Sequence, residues 1–248
     1  MILRAQLEYD FAANARNSKS NTDDQVSEVL NKDYLNSLYF RYVASPVDIV
    51  NGKEYFLYSY NSKTTPLLFS GRAFNSTLST DGRIYKNVSL QYDTYSDEVV
   101  YSDTSRVINF QYPKVMLAKE FVEWFTFYTG TDTIHFQNLR FGDEIRNRPD
   151  DGYYEIAYDG TSKYIIRHRS KQYESIRDAT IEYKYVPQNI FIINNTAYTI
   201  KRKKDFLQMF GNESSDIKEY MHRMRISLKR AGKKEITGII KYYETLAD

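Results

Sequence analysis

Short apolar runs recur at close spacing between residues 39 and 200, and Gly, Pro, Asn and Asp interrupt them. The run from Val88 to Tyr92 alternates apolar and polar residues, as a half-buried strand does. Turn-forming residues follow it, and the run from Val99 to Tyr101 returns. Many such strands with turn signals between them predict a mainly antiparallel β structure, either a sandwich or an open barrel.

The stretch DGRIYKNVSLQYDTYSDEVVY (81–101) contains two acidic clusters that suggest two interpretations. Asp93, Asp97 and Glu98 could surround a metal ion or a sugar. An EF-hand loop, however, needs Gly at its sixth position, and counting from Asp93 that position is Glu98. We therefore favour a hairpin, in which Ser89 and Gln91 face water while Val88, Leu90 and Tyr92 face the core.

A charged loop at 142–152 is followed by a second hairpin. Tyr154, Ile156 and Tyr158 alternate and are predicted to share one face, Asp159 and Gly160 form the turn, and the chain returns at 164–166.

Beyond residue 203 the apolar period changes from two to 3.6, which predicts helices. Phe206, Leu207 and Phe210 indicate a short helix closed by Gly211. The next stripe is Ile217, Tyr220, Met221, Met224 and Leu228, with a cap at Ser214, Ser215 or Asp216. Ile236, Ile239, Ile240 and Tyr243 indicate the last helix. We expect Phe206, Leu207, Ile217, Met221, Ile239 and Tyr243 to be buried.

Together these patterns predict an α+β fold with three parts. We predict that residues 1–38 form a flexible or partly helical leader. Residues 39–200 form the antiparallel β domain. Residues 201–248 form a helical tail packed on it.

The 24 tyrosines favour a β-rich scaffold over a dedicated stacking surface for sugars or bases, because the Tyr ring suits a sheet face that meets water. The absence of cysteine excludes thiol catalysis, Cys-ligated zinc and disulfides.

No apolar run is long enough to span a membrane. The opening MILRAQLEYD lacks the apolar region of a signal peptide. We expect a cell-envelope location, periplasmic or secreted, if a signal peptide precedes Met1, and a cytoplasmic one otherwise.

Positive charge is concentrated between Lys201 and Lys241, where twelve Lys and Arg face five Asp and Glu. Contact with the phosphates of lipid or nucleic acid is one interpretation, and a solvated face of amphipathic helices is the favoured one. Nucleic acid is disfavoured, since no recognition motif is evident. The candidate anion contacts are Lys201, Arg202, Lys203, Lys204, Arg223 and Arg230.

The chain contains no nucleophile elbow, dinucleotide fingerprint, phosphate loop or zinc-protease motif. His135, His168 and His222 are isolated in sequence, and each is expected to be a surface or satisfied core residue. The sequence therefore predicts no catalytic residue, metal or cofactor, and a protein that is not an enzyme. A hydrolase whose carboxylates meet only in the fold is the alternative.

Three stretches resemble a family of uncharacterised Bacteroidetes envelope proteins with no established activity. They are GRIYKNVSLQYDTYSDEVV (82–100), GYYEIAYDGTSKYIIRHRSK (152–171), and the C-terminal YTIKRKKDFLQMF, IKEYMHR and IIKYYETL. The resemblance implies an envelope protein and supplies no site residues.

We expect a structural or partner-binding role with a protein or glycan partner. The alternatives are a carbohydrate-binding module that uses exposed tyrosines and binding of an anionic surface through the basic segment.

Overall fold

The computed structural model describes residues 49, 52–56, 61–104, 107, 112–200 and 203–247. The predicted leader at 1–38 lies outside them. Within these ranges there are thirteen strands and three α-helices. The strands are β1 (Gly52–Glu54), β2 (Phe74–Thr80), β3 (Arg83–Asp93), β4 (Glu98–Ser102), β5 (Lys114–Leu117), β6 (Val122–Tyr128), β7 (Thr133–Leu139), β8 (Gly152–Asp159), β9 (Lys163–Arg167), β10 (Ser170–Ser175), β11 (Thr180–Tyr185), β12 (Gln188–Ile193) and β13 (Thr196–Thr199). The helices are α1 (Lys203–Gln208), α2 (Ser214–Arg223) and α3 (Lys233–Ala247).

Eleven strands form one antiparallel sheet in the order β1-β5-β4-β3-β2-β6-β7-β8-β9-β12-β13, and β10 and β11 form a separate two-stranded ribbon. The predicted α+β fold, a mainly antiparallel sheet with a small C-terminal helical part, is confirmed. Eleven of the thirteen described strands lie in one sheet, which is open rather than a closed barrel.

Two-residue turns join β2 to β3 and β12 to β13. Asp81 and Gly82 have φ of 51° and 69°, and Asn194 and Asn195 have φ of 48° and 55°. Positive φ at both central residues is the geometry that matches strand twist, and Asn, Asp and Gly adopt it most readily. These local turns therefore set the register of the two hairpins.

The main core lies on one face of the sheet. Val88, Leu90 and Tyr92 are all buried there, so the predicted inner face of β3 is confirmed. The prediction for Gln91 was wrong, because its side chain is 3% exposed and its amide donates to the carbonyl of Gly71. The outer face of β3 is covered there by a segment that is distant in sequence. Ser89 is half-buried.

The second predicted hairpin, β8–β9, is confirmed, but its alternation is not. Tyr154 and Ile156 pack on one side of the sheet with Ile165, whereas Tyr158 packs with the helical part. The pairing register shifts between Ile156 and Tyr158. Such a bulge adds one residue to the strand and reverses the side on which the next side chain lies.

The helical part packs on β8, β9, β12 and β13 through a second apolar cluster. Of the six residues expected to be buried, five are, and Leu207 is half-buried. The predicted second stripe was too long, since α2 ends at Arg223, Met224 is 55% exposed and Leu228 is half-buried. No side chain caps the start of α2, where the 3-10 turn Gly211–Glu213 leads directly into the helix.

The helices in the described ranges all fall short of the length and apolar character needed to cross a bilayer.

Candidate functional site

The predicted anion contacts are spread over the helical part. Lys201 and Arg202 lie outside the described residues, and Lys203 is the first residue of α1. Lys204, Arg223 and Arg230 are exposed. Arg223 is the last residue of α2 and Arg230 lies in the connection between α2 and α3, whereas Lys204 belongs to α1.

The three histidines have different environments. His222 is exposed at the end of α2. His135 is half-buried with Nδ1 2.9 Å from the Thr126 hydroxyl, and burial lowers its pKa. His168, between β9 and β10, is 6% exposed and fully hydrogen-bonded. The expectation of surface or satisfied core histidines is thus met at each position.

A buried carboxylate, Asp97, joins the β3–β4 turn to two other parts of the sheet. It accepts hydrogen bonds from Tyr92 Oη at 2.5 Å and from Lys119 Nζ at 2.5 Å, and Arg167 Nη2 lies 3.6 Å away. A β-carbon at Gly152 would lie 2.3 Å from Asp97 Oδ2, so the contact requires glycine there. Opposite charges compensate the buried carboxylate, as interior ions require.

The neighbouring Asp93 is also buried, and it confirms the predicted turn. Its Oδ1 accepts the backbone N–H groups of Tyr95 at 2.9 Å and Ser96 at 3.1 Å, while Oδ2 accepts the hydroxyl of Tyr55 at 2.9 Å. All of these donors belong to the protein itself, so Asp93 acts as a turn-forming residue.

Glu98 stands across β3–β4 from Asp93. Burial raises the pKa of Glu98 to about 7, Lys119 opposes the rise, and Asp97, Asp93 and Glu120 add to it. A carboxyl group that titrates near neutral pH is a feature of many functional sites. Glu98 lines neither of the two grooves described below.

A chain of four hydrogen-bonded side chains runs from α3 to the surface. Lys233 Nζ donates to Glu155 Oε1 at 2.6 Å, and Glu155 Oε2 lies 2.8 Å from His168 Nε2. His168 Nδ1 lies 2.5 Å from the hydroxyl of Tyr185. We call these residues the Lys233–Tyr185 chain.

The ionised carboxylate of Glu155 sets the direction of the hydrogen bonds in the Lys233–Tyr185 chain. Burial alone would raise the pKa of Glu155, but the hydrogen bonds from His168 and Lys233 outweigh it and hold that pKa below its ordinary value. An ionised carboxylate only accepts, so Nε2 of His168 carries its proton. When the ring is neutral, Nδ1 then accepts a hydrogen bond from the hydroxyl of Tyr185. Burial, with a contribution from Glu155, raises the pKa of Tyr185 to about 12, so the phenol remains a donor at neutral pH.

Tyr185 ends this chain at a groove of about 620 Å³, which we call the Tyr185 groove. The groove is lined by residues 63–70, by Thr94 in the β3–β4 turn, by Ser170 at the start of β10, and by Tyr183 and Tyr185 on β11. The rings of Tyr185 and Phe69 are 50% and 42% exposed. Thr64, Thr65, Ser70, Thr94 and Ser170 also line the groove. Thr94 is 1% exposed and its hydroxyl bonds to Ser170 Oγ and the carbonyl of Pro66, and the hydroxyls of Thr64 and Thr65 bond to backbone groups.

A second groove of about 510 Å³ lies on the opposite side of β8 and β9 from the helices, beside the loop at 140–145. Its floor is aliphatic, with Ile156, Ile165 and Ile192, and its rim is charged, with Arg140, Glu144 and Lys163 among the lining residues. Gln137, whose Nε2 lies 3.3 Å from Nε2 of His135, is a polar residue of this groove.

The residues that the structure describes include no group of three or more His, Asp or Glu side chains placed to hold a metal ion.

A scan against protein-family models and searches of curated proteins and of solved structures found no match to this chain. The candidate site therefore rests on its own geometry. Sequence reasoning did not identify Tyr185, Glu155 or Lys233. The available signals were the alternation of Tyr183 and Tyr185 on one strand and the position of His168 between two arginines.

Proposed function

We propose that this protein is a non-enzymatic binding protein that holds a glycan in the Tyr185 groove. The observation that carries the proposal is a half-exposed aromatic ring held in place from the interior. The hydroxyl of Tyr185 is anchored by buried His168, and the two rings stack with their centroids 5.9 Å apart. A fixed ring loses little conformational entropy when a ligand packs on it.

The chemistry of the groove matches that of a sugar ring. A pyranose has C–H faces that pack on aromatic rings and a rim of hydroxyl groups that donate and accept hydrogen bonds. The Tyr185 groove combines two half-exposed aromatic rings with the exposed polar side chains of Thr64 and Ser70. Its volume of about 620 Å³ suits a ligand of one to a few sugar units.

Glycan-array binding tests the proposal directly. The wild-type protein should bind a subset of glycans, and Tyr185→Ala should weaken binding about fivefold or more, since one aromatic contact is worth about 1 kcal/mol or more. Tyr185→Phe keeps the ring and loses the bond to His168, so a smaller loss is expected. The matched control is Tyr128→Ala, which removes a 46% exposed ring outside the groove. Equal losses in the Tyr185 and Tyr128 variants, or no glycan binding by the wild type, would contradict the proposal.

An envelope location is part of the same proposal, and it is supported by the motif resemblance at 82–100 and 152–171. Fractionation of cells that express the gene natively tests it. Recovery of the protein with the cytoplasmic fraction alone would refute it.

A further inference from the structure

The connection between α2 and α3 is an exposed, strongly basic segment. From Arg223 to Lys234 it contains six Lys and Arg and no Asp or Glu. Lys233 faces Glu155 and Asp132. The other five are exposed, and none of them pairs with a carboxylate among the residues described: Arg223, Arg225, Lys229, Arg230 and Lys234. We call the segment 223–234 the basic loop.

Backbone hydrogen bonds define the shape of the basic loop. Arg225 has φ of 55°, and the N–H of Ile226 donates to the carbonyl of Met221 at 2.8 Å, which closes α2. The N–H groups of Arg230 and Ala231 both donate to the carbonyl of Ser227 at 2.8 Å. The positive charges are therefore displayed on an ordered turn of the chain.

An exposed apolar side chain lies among these charges. Met224 is 55% exposed and has Arg223 and Arg225 as its neighbours, whereas Met221, one turn earlier on α2, is 2% exposed. On α2 the buried stripe thus ends at Met221, and Met224 is presented to solvent together with the cations. Apolar side chains bordered by Lys and Arg are typical of segments that lie at a bilayer interface.

We propose that the basic loop binds the surface of an anionic lipid bilayer, with its cations at the headgroups and Met224 at the headgroup–acyl boundary. Charge complementarity supports this partner, since each Lys or Arg near an anionic leaflet adds to the binding free energy. Nucleic acid is less suited. Tyr220 and Tyr242 stack on each other with their centroids 4.2 Å apart, and the Arg223 guanidinium lies over Tyr220 at 5.7 Å, so neither ring is a free platform for a base.

Vesicle flotation of the full chain tests the inference. Vesicles of phosphatidylcholine with phosphatidylglycerol should bind the protein at low salt and release it at high salt, and vesicles of phosphatidylcholine alone should not bind it. The double variant Arg223→Gln, Arg225→Gln should weaken binding about thirtyfold, the loss expected for two interfacial cations. Met224→Ser should weaken it severalfold and leave the salt dependence unchanged.

The matched control removes two exposed cations elsewhere, with Lys86→Gln on β3 and Lys171→Gln on β10. It should bind vesicles as the wild type does, and thermal unfolding should show that all the variants remain folded. Three results would overturn the inference: no binding to anionic vesicles, equal loss in the control, or salt-sensitive binding to duplex DNA or RNA without binding to vesicles.

Discussion

The rings of Tyr92 and Tyr153 lie edge to face with their centroids 6.0 Å apart, although β3 and β8 are separated by three strands in the sheet. In a flat sheet four strand spacings would separate them by about 19 Å. The sheet therefore curves strongly around its aromatic core, in which Phe125 and Phe136 stack between the two tyrosines with centroids 4.6 Å apart. The same curvature brings Asp97 to Arg167.

The stability of the fold should respond differently to the same substitution at these two facing tyrosines. Tyr92 Oη donates to buried Asp97, whereas the hydroxyl of Tyr153 is buried without a hydrogen-bond partner among the described residues. Tyr92→Phe should lower the free energy of unfolding by about 1.5–3 kcal/mol, as for a bond to a charged group. Tyr153→Phe should leave it unchanged or raise it by about 1 kcal/mol, because the unsatisfied hydroxyl is removed. Urea denaturation measures both, and a loss in Tyr153→Phe as large as in Tyr92→Phe would show that its hydroxyl is satisfied.

Gly152 should be intolerant of a side chain. Its φ is 151°, and an added β-carbon would lie 2.3 Å from Asp97 Oδ2 and 3.1 Å from Arg167 Nη2. Gly152→Ala should therefore destabilise the fold by more than about 2 kcal/mol, since the backbone is strained and a buried ion pair is displaced. Gly82→Ala is the control, because its φ is also positive, at 69°, but the space is open. It should cost about 1 kcal/mol. Equal melting temperatures for the two variants would argue against close packing at Gly152.

Glu98 should make stability fall as the pH rises toward neutrality. Burial raises its pKa to about 7 in the folded protein, above the ordinary value of 4.5. Between these values the folded state holds a proton that the unfolded state has released, so deprotonation favours unfolding. The stabilisation associated with protonated Glu98 is fully present below the pKa of Glu98 in the unfolded chain. It is lost as the pH rises through the pKa of Glu98 in the folded protein.

Glu98→Gln should abolish this dependence and make the protein more stable than the wild type above about pH 7, by about 1–2 kcal/mol after allowance for partial exposure. Denaturant unfolding at a series of pH values measures the difference between the two proteins. Glu174→Gln, at an exposed position on β10, should leave the profile unchanged. A wild-type profile that parallels that of Glu98→Gln would contradict the assignment.

Two methionines three residues apart should differ in their effect on stability. Met221 is 2% exposed in the cluster beneath the helices, and Met224 is 55% exposed. Met221→Ala should cost about 2–5 kcal/mol because it removes buried apolar surface and leaves a cavity. Met224→Ala should change stability by less than about 0.5 kcal/mol. Thermal unfolding of the two variants measures the difference, and similar melting temperatures would place the edge of the core elsewhere.

The sequence determined the local elements of this protein. Alternation from Val88 to Tyr92 and turn residues such as Asp81 and Gly82 specify hairpins, because side chains in a strand alternate and few residues adopt positive φ. The 3.6-residue period beyond residue 203 likewise specifies helices. These signals act between neighbours in the chain, and they were sufficient for the fold class.

Only the tertiary structure decided the burial of Gln91, the side on which Tyr158 lies, and the Lys233–Tyr185 chain. Lys233 and Glu155 are 78 residues apart, and no local pattern links them. Their contact depends on the total curvature of the sheet, on the bulge in β8 and on where the helices pack. Curvature and register accumulate over many strands, so small local preferences that a sequence pattern does not display decide which distant side chains meet.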